Sequence, residues 1–482
     1  MTEEQLVASP YAAMGEADRQ AFEIQPTEGK EQALVQLYVN EKMVPGKIAV
    51  QLRAMFTLAT MDDTHEIYYY KDGVYHRNAE AMLAKTIQEA YDKLGLDEEP
   101  SKHSISEVLG HLERGTYVSR SLFDSNPRTL NLRNGLFDLE TLEFHPHDPK
   151  VLSLIQLPIE YAKDADCPQF KQFLKEVAYP EDLPAIQELF GYCLWKDYLI
   201  HKATAFIGDG SNGKSTLLNV LKTLLGNENC SSRSLQDLET KRFAASDLYG
   251  KMVNIYADLS DAALRHTGTF KMLTGKDTIT AEFKFKNSFT FTNYAKVIFS
   301  CNKLPRADDD TVAFWRRWIL FTFPNSFQGV KEDKTKLAAL TTPEELSGIL
   351  NWAVEGLVRL YTQNWTFSYS KSTEEIRMEY VRKSDPIGAF VMDCLAQKPE
   401  TQIPKPELYG AFRRYCLGAK LPVTSQDAFF KRLPEYCQYT EQRIQLAGKR
   451  TRLFVGIQLL PDAQWGKEQE DAGPSGDGQS TL

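Results

Sequence analysis

The stretch Gly208-Asp209-Gly210-Ser211-Asn212-Gly213-Lys214-Ser215-Thr216 limits what this chain can fold into more than any other. It fits the spacing GxxxxGK[ST], with the apolar run ATAFI just before it and the helix-patterned LLNVLKTLL just after. A chance glycine turn does not arrive with a strand on one side and a helix on the other. Glycines at these positions let backbone N–H groups wrap a phosphate chain, and the N-terminus of the following helix adds its dipole. The reading is therefore a nucleotide site built from Gly208 to Thr216. In it Lys214 reaches the β and γ phosphates and Ser215 ligates magnesium, with ATP and Mg2+ as cofactors. Strands and helices alternate around this loop from about 200 to 365, the α/β signature.

A phosphate loop alone does not separate kinases, GTPases and motors, so the next polar residues matter. MVNIYA is a short apolar strand that ends in Asp258, placed to hold the magnesium through water. Asp261, three residues on, either orients the attacking water or is simply the acid that opens the helix AALRH. A further strand, AKVIFSCN, ends in Asn302, which contacts the γ phosphate or the attacking water, or else is an ordinary turn asparagine before Pro305. In AFWRRW, Arg316 or Arg317 can reach a neighbouring subunit's nucleotide; the alternative is a pair of surface arginines stacked on tryptophan.

With 482 residues the chain is too long for one core. Its net charge of -9 argues against a surface basic throughout, so any nucleic-acid contact is local. Residues 371–460 carry 15 Lys and Arg against 10 Asp and Glu, and are the better candidate. Seven scattered cysteines, without a CxxC pair, predict reduced thiols rather than a zinc site or a disulfide framework. The acidic N-terminus has no apolar signal segment and no stretch is long enough to span a membrane. The expectation is a soluble protein of the cytoplasm, the host cell's if viral.

Five segments follow. Residues 1–100 form an accessory domain with a mobile leader, in which EIYYYKDGVYHRN predicts a hairpin turning at Lys71-Asp72-Gly73. The acidic MDDTHE at 61–66 reads as a solvated loop. Residues 101–195 form a helical collar, mixed with strands around Asn134-Gly135, and residues 196–365 are the α/β segment. Residues 366–460 give three helices and a terminal hairpin joined at Ala447-Gly448, a winged-helix pattern. Residues 461–482 are an acidic, disordered tail.

The ordered set GDGSNGKST, VNIYADLSD, FKMLTGKDTITAEFKFKNSFTF, KVIFSCNKLP and FWRRW resembles the motor of superfamily 3 helicases, particularly the poxvirus and phage or plasmid primase-helicase branch. Upstream, NLRNGLFDLE, YAKDADCP and FLKE look like that branch's usual lead-in. The likeness covers about 105–330 well and the C-terminal segment loosely.

It implies a multidomain α/β chain: an AAA+-like P-loop ATPase core, an N-terminal helical domain and a C-terminal winged helix. Lys214 and Ser215 match its Walker A pair, Asp258 its Walker B acid, Asn302 its sensor, and Arg316 or Arg317 its arginine finger. The family's channel hairpin falls on TAEFKFKNSFTF, where Lys284 and Lys286 alternate with Phe283, Phe285 and Phe289 and would contact DNA. Without the family this is simply an amphipathic hairpin. Two departures stand out: one acid rather than an adjacent pair at the Walker B tip, and no carboxylate set for primer synthesis in the first 100 residues.

The function implied is an ATP-dependent replicative DNA helicase of a virus, phage or plasmid-like element. It would work as a homo-oligomeric ring, a hexamer, on single-stranded DNA, with duplex contact through the basic C-terminal segment and a separate primase or polymerase as a possible partner. The alternatives are a P-loop kinase and a nucleotide-gated DNA-binding or replication-control module. For the C-terminal segment the alternative to duplex contact is a protein-docking module.

Overall fold

The computed structural model describes residues 44–93, 100–208, 210–260, 264, 266–282, 284, 288–327, 335–419, 421, 423–446 and 449–461. The expected leader and nearly all of the acidic tail, together with Asp209, Asp261, Phe283, Phe285, Lys286 and the Ala447-Gly448 junction, lie outside the described residues. The chain divides into two compact units: Met1–Asp258 with Thr267–Ser300 and Phe321–Tyr369, and Leu259–His266 with Cys301–Leu320 and Ser370–Leu482. It is a multidomain α/β protein. Among the described residues no helix is long and apolar enough to cross a membrane. All seven cysteines are free.

The first unit opens with α1 (Pro45–Met55), β1 (Leu58–Met61), β2 (Ile67–Lys71), β3 (Val74–His76), α2 (Ala79–Lys93), α3 (Lys102–Gly115) and β4 (Tyr117–Val118). The four strands make one sheet in the order β3-β2-β1-β4. The β2–β3 hairpin turns at Asp72 (φ 51°) and Gly73 (φ 87°), the paired positive φ values that a two-residue turn requires. Strand alternation feeds two cores. Ile67 and Tyr69 pack with Leu52, Leu83, Val108 and Leu112 under the helices, while Tyr68 and Tyr70 pack with Phe123 and Leu152. Residues of α3 thus belong to the same core as α1 and α2.

A small antiparallel sheet follows, β5 (Thr129–Leu132), β6 (Gly135–Asp138) and β7 (Phe144–His145), and then α4 (Pro168–Val177) and α5 (Leu183–Leu194). A buried ion pair at 3.0 Å joins Asp124, before this sheet, to Lys196 after α5. Ser153 Oγ and Leu154 N also donate to the Asp124 carboxylate, so the buried charge is fully hydrogen-bonded.

The α/β sheet comprises β8 (Ala203–Ile207), β9 (Cys230–Ser231), β10 (Val253–Tyr256), β13 (Lys296–Cys301) and β14 (Trp318–Thr322), in the order β14-β8-β13-β10-β9. Strand β10 runs parallel to β9 and β13. The central strands β8 and β13 and the edge strand β14 are buried along nearly their whole length, in keeping with their largely apolar sequences ATAFI, KVIFSC and WILFT. Between them lie α6 (Lys214–Leu225), α7 (Leu235–Thr240), α8 (Gly268–Gly275), the two-stranded ribbon β11 (Thr278–Glu282) and β12 (Ser288–Thr292), and α9 (Val312–Trp315).

After the sheet, α10 (Lys336–Leu340) leads into α11 (Pro343–Thr362), which returns to pack on α5. The approach is set by glycines on both helices. A Cβ at Gly191 would lie 2.4 Å from Ala353 O, and one at Gly356 would lie 2.4 Å from Gln187 O. Two buried carboxylates complete the joint. Glu345 accepts from Gln169 N and Phe170 N at the start of α4, and Glu188, fully buried, accepts from Arg359 Nε and from Ser368 N and Oγ at 2.6 Å each.

The second unit holds α9, α12 (Thr373–Ser384), α13 (Pro386–Cys394), β15 (Leu395–Pro404), α14 (Lys405–Gly418), α15 (Gln426–Arg432), β16 (Thr440–Leu446) and β17 (Lys449–Leu459). Tyr380 packs edge to face against Phe314 and Trp315, tilted against Trp318, and donates to Pro305 O. The last three strands form a sheet, β15-β17-β16, over a core that includes Phe390, Phe412, Phe429 and Phe454. The three expected helices and the terminal pair of strands are all present; β15 is an additional strand. Its Pro399 and Pro404 and its register shift between Lys398 and Gln402 are tolerated because it lies at the sheet edge.

Burial alone would raise the Asp385 carboxyl, but the Tyr436 hydroxyl, the Arg432 guanidinium and Ile387 N hold it below the ordinary carboxylate range. Arg432 is therefore a structural partner of Asp385 rather than a projecting cation.

Substituting Gly191→Ala should cost about 1–3 kcal/mol by overpacking the α5–α11 crossing. Gly110→Ala, in α3 where a Cβ would meet only the end of the Arg114 side chain, should be neutral or gain up to about 1 kcal/mol. Urea unfolding of the two variants checks this; equal stabilities would show that the crossing relaxes.

Candidate functional site

Strand β8 delivers the chain into the loop at Gly208, and α6 begins at Lys214. Gly213 takes φ 88° at the helix N-cap, and a Cβ there would sit 2.5 Å from Val177 Cγ1, so the loop is pressed against the end of α4 by a residue that has to be glycine. Gly208 is equally confined: a Cβ would lie 2.0 Å from Asn212 Nδ2. Gly210 (φ 97°) has open space where a Cβ would be, which leaves the outer rim of the loop clear for a ligand's approach. From the other side, Phe323 N donates to Ile207 O, Phe327 N to Ser211 O at 2.7 Å, and Asn325 Nδ2 to Glu176 O.

Within this frame Lys214, 5% exposed, donates from Nζ to Gly208 O at 2.6 Å and to Asn212 Oδ1 at 2.9 Å. Asn212 is 3% exposed, and its Nδ2 has no hydrogen-bond partner among the described residues. An orphaned buried donor costs about 1–3 kcal/mol and calls for an acceptor. A buried ammonium, an orphaned amide and the first N–H groups of α6 thus converge as donors around a glycine loop. That donor set suits the oxygens of a phosphate chain. Ser215 and Asp258 are both exposed, Asp258 two residues beyond the end of β10, and oxygen ligands of this kind suit a magnesium ion. Thr216 follows Ser215 on the first turn of α6.

In the second unit, Asn302 is exposed and follows the last residue of β13. The two arginines separate clearly. Arg317 is 8% exposed and donates to Ala313 O, whereas Arg316 is exposed at the end of α9.

The β11–β12 ribbon pairs Thr278 with Thr292 and Glu282 with Ser288. Its inner face, Ile279, Ala281, Phe289 and Phe291, is buried on Leu238, Leu248 and Leu273, so Phe289 serves the core. Lys284 is exposed at the turn.

The residue that sequence reasoning missed is Arg120. Its guanidinium bonds Asp63 (Nε to Oδ2, 2.6 Å) and lies over the rings of Tyr249, at 4.8 Å, and Phe289, at 5.1 Å. Burial would raise the Asp63 carboxyl, but Arg120 outweighs it and holds it below its usual range. Asp63 in the acidic turn is therefore neutralised by an ion pair. No local pattern announces a contact between positions 120 and 289.

Two family descriptions match parts of the chain: "D5 N terminal like" over residues 50–178, and "Family of unknown function (DUF5906)" over residues 206–317. The first begins within α1 and runs past the end of α4, and the second begins within β8 and ends at Arg317. Among curated proteins the chain is 26% identical over 303 residues, 58% of its length, to "Putative helicase L207/L206" of Acanthamoeba polyphaga mimivirus. It is 23% identical over 383 residues, 68% of its length, to "Putative helicase 121R" of Invertebrate iridescent virus 3. The chain is similar to viral helicase-type proteins. It covers 32% and 39% of the length of these two relatives. Among solved structures, the apo NrS-1 C terminal region aligns over 86% of this chain and all of its own, at 13% identity and a TM-score of 0.45.

Arg317→Ala should cost about 1–3 kcal/mol, since it removes a buried hydrogen-bonded cation, and Arg316→Ala should stay within about 0.5 kcal/mol of the parent. Unfolding curves of the pair check the assignment; the reverse order would overturn it.

Proposed function

We propose that this chain is the ATP-driven motor portion of a viral-type DNA replication helicase. The observation that carries the reading is the donor cradle at Gly208–Thr216, with its buried Lys214 and orphaned Asn212 amide, in a chain similar to viral helicases over more than half its length.

In this reading the loop N–H groups and Lys214 hold the β and γ phosphates of ATP, and Ser215 and Asp258 hold the magnesium. Asn302 senses the γ phosphate. Arg316, the exposed member of its pair, reaches the nucleotide of the neighbouring copy in a homo-oligomeric ring, taken as a hexamer. Asp261 remains the candidate for orienting the attacking water. Lys284, with Lys286, touches the sugar-phosphate backbone of single-stranded DNA. The C-terminal module, with its order helix, strand, two helices and two strands, is read as a winged helix, and exposed Arg413, Arg414, Lys431 and Arg452 are its candidates for duplex contact. A separate primase or polymerase is a fitting partner for a chain to which no primer synthesis is assigned.

A second reading has one feature in its favour. Asp258, two residues beyond the end of β10, stands without an adjacent acid, which suits a nucleotide-gated DNA-binding module with little turnover.

Steady-state ATP hydrolysis with and without single-stranded DNA separates the two. Stimulation by DNA in a ring-sized assembly is expected; nucleotide binding without turnover would favour the gated module. Lys214→Ala and Arg316→Ala should each lose about 10³-fold or more of the turnover. Mixing the two should restore part of it, because some interfaces then pair an intact loop with an intact arginine. No recovery on mixing would exclude action in trans.

A further inference from the structure

Arg120 has no place in the nucleotide chemistry, yet it is among the most heavily engaged side chains of the first unit. It sits on the three-residue turn Arg120–Leu122 and its side chain is only 14% exposed. One edge of the guanidinium grips Asp63, through Nε at 2.6 Å and Nη2 at 3.0 Å, on the turn between β1 and β2. Its carbon lies over Tyr249 and Phe289. Tyr249 meets Phe289 and Phe291 edge to face, at 5.2 and 5.6 Å, and these two phenylalanines fix β12 to the core.

One planar cation therefore joins two parts of the chain matched by different family descriptions. Asp63 and Arg120 lie within 50–178, and Tyr249 and Phe289 lie within 206–317. Arginine suits this role and lysine does not, because only the flat guanidinium can pair in its plane with a carboxylate and stack by its face on aromatic rings.

We propose that Arg120 is a positioning residue that fastens the turn-side end of the β11–β12 ribbon, where Phe289 pairs with Ala281, to the N-terminal layer, so that this layer sets where the Lys284 turn stands. The use made of that turn rests on the helicase reading above; the fastening itself does not. The ribbon is two-stranded, and a lone two-stranded ribbon is marginal without a packed face, so the position of its turn depends on what grips the strands beside it. Among the described residues, two grips reach the ribbon from outside its own core cluster: Arg242 pairs with Glu282 on β11, and Arg120 lies over Phe289 on β12, the latter coming from the N-terminal layer.

The test uses the full chain with Arg120→Ala, Arg120→Lys and Lys284→Ala. Amide hydrogen exchange across Thr278–Thr292 is expected to quicken about tenfold in Arg120→Ala, equivalent to a loss of about 1.4 kcal/mol of local protection, with exchange in α6 unchanged. Arg120→Lys should recover little, since it keeps the charge and loses the stack. Unchanged exchange in the ribbon overturns the proposal whether or not the protein is a helicase.

The second readout is the single-stranded DNA concentration that half-stimulates ATP hydrolysis. It should rise several-fold in Arg120→Ala, DNA-free hydrolysis should stay within about twofold, and the double variant with Lys284→Ala should be no worse than Lys284→Ala alone. Additive losses would overturn the coupling of Arg120 to the turn. If the parent shows no DNA stimulation at all, the helicase reading fails and the exchange result still decides the fastening.

Discussion

The contact between Gly213 and Val177 is the constraint on which the rest of the first unit depends. A phosphate loop needs its backbone N–H groups turned inward, and that requires a positive φ at the residue before the helix. Here the same residue also has no room for a side chain, because the end of α4 stands against it. The loop's shape is thus enforced from outside, by a helix that itself must be held still.

What holds α4 still is a clamp built from residues that follow the α/β sheet in sequence. Glu345, from α11, accepts the first free N–H groups of α4, while Asn325 and Lys336 fasten Glu176 near its end. Helix α11 in turn reaches α5 only because Gly191 and Gly356 remove Cβ atoms where the helices cross. The carboxylates at the joint are buried yet fully hydrogen-bonded, the condition under which buried charge orders a structure rather than weakening it. Shape at the Gly208–Thr216 loop is therefore a consequence of packing more than 100 residues further along the chain.

This explains what could be read in advance. The strand, loop and helix around Lys214 are local in sequence, and so is the β2–β3 turn, where Asp72-Gly73 supplies both positive φ values. The helices of the second unit showed in their apolar spacing. Strand β15 did not, because LAQKPETQIP carries two prolines and no alternation, and only the edge position it takes in the sheet makes it a strand. The choice between Arg316 and Arg317 was equally hidden, since adjacent residues differ only in which way α9 turns them. Val177 behind Gly213, Glu345 at α4 and Arg120 over Phe289 are long-range contacts with no periodic signature. The orphaned Asn212 amide was visible only as a variable position of the motif.

The ribbon shows what such hidden contacts do to a functional argument. From alternation alone, Phe289 stands opposite the lysines as a platform on which bases could stack. In the fold it is buried with Phe291 and Tyr249 and lies under Arg120, so the described stem presents threonines, Ser288 and Glu282 to solvent instead. A ribbon of this kind has charge at its turn and hydroxyls along its outer face but no aromatic surface on its described strands. What the described part of the ribbon offers a nucleic-acid strand is charge and hydroxyls for the backbone phosphates, a grip that weakens with salt and has little preference among bases. Under the reading proposed above, a translocating motor needs that indifference, because it must pass every sequence with similar force.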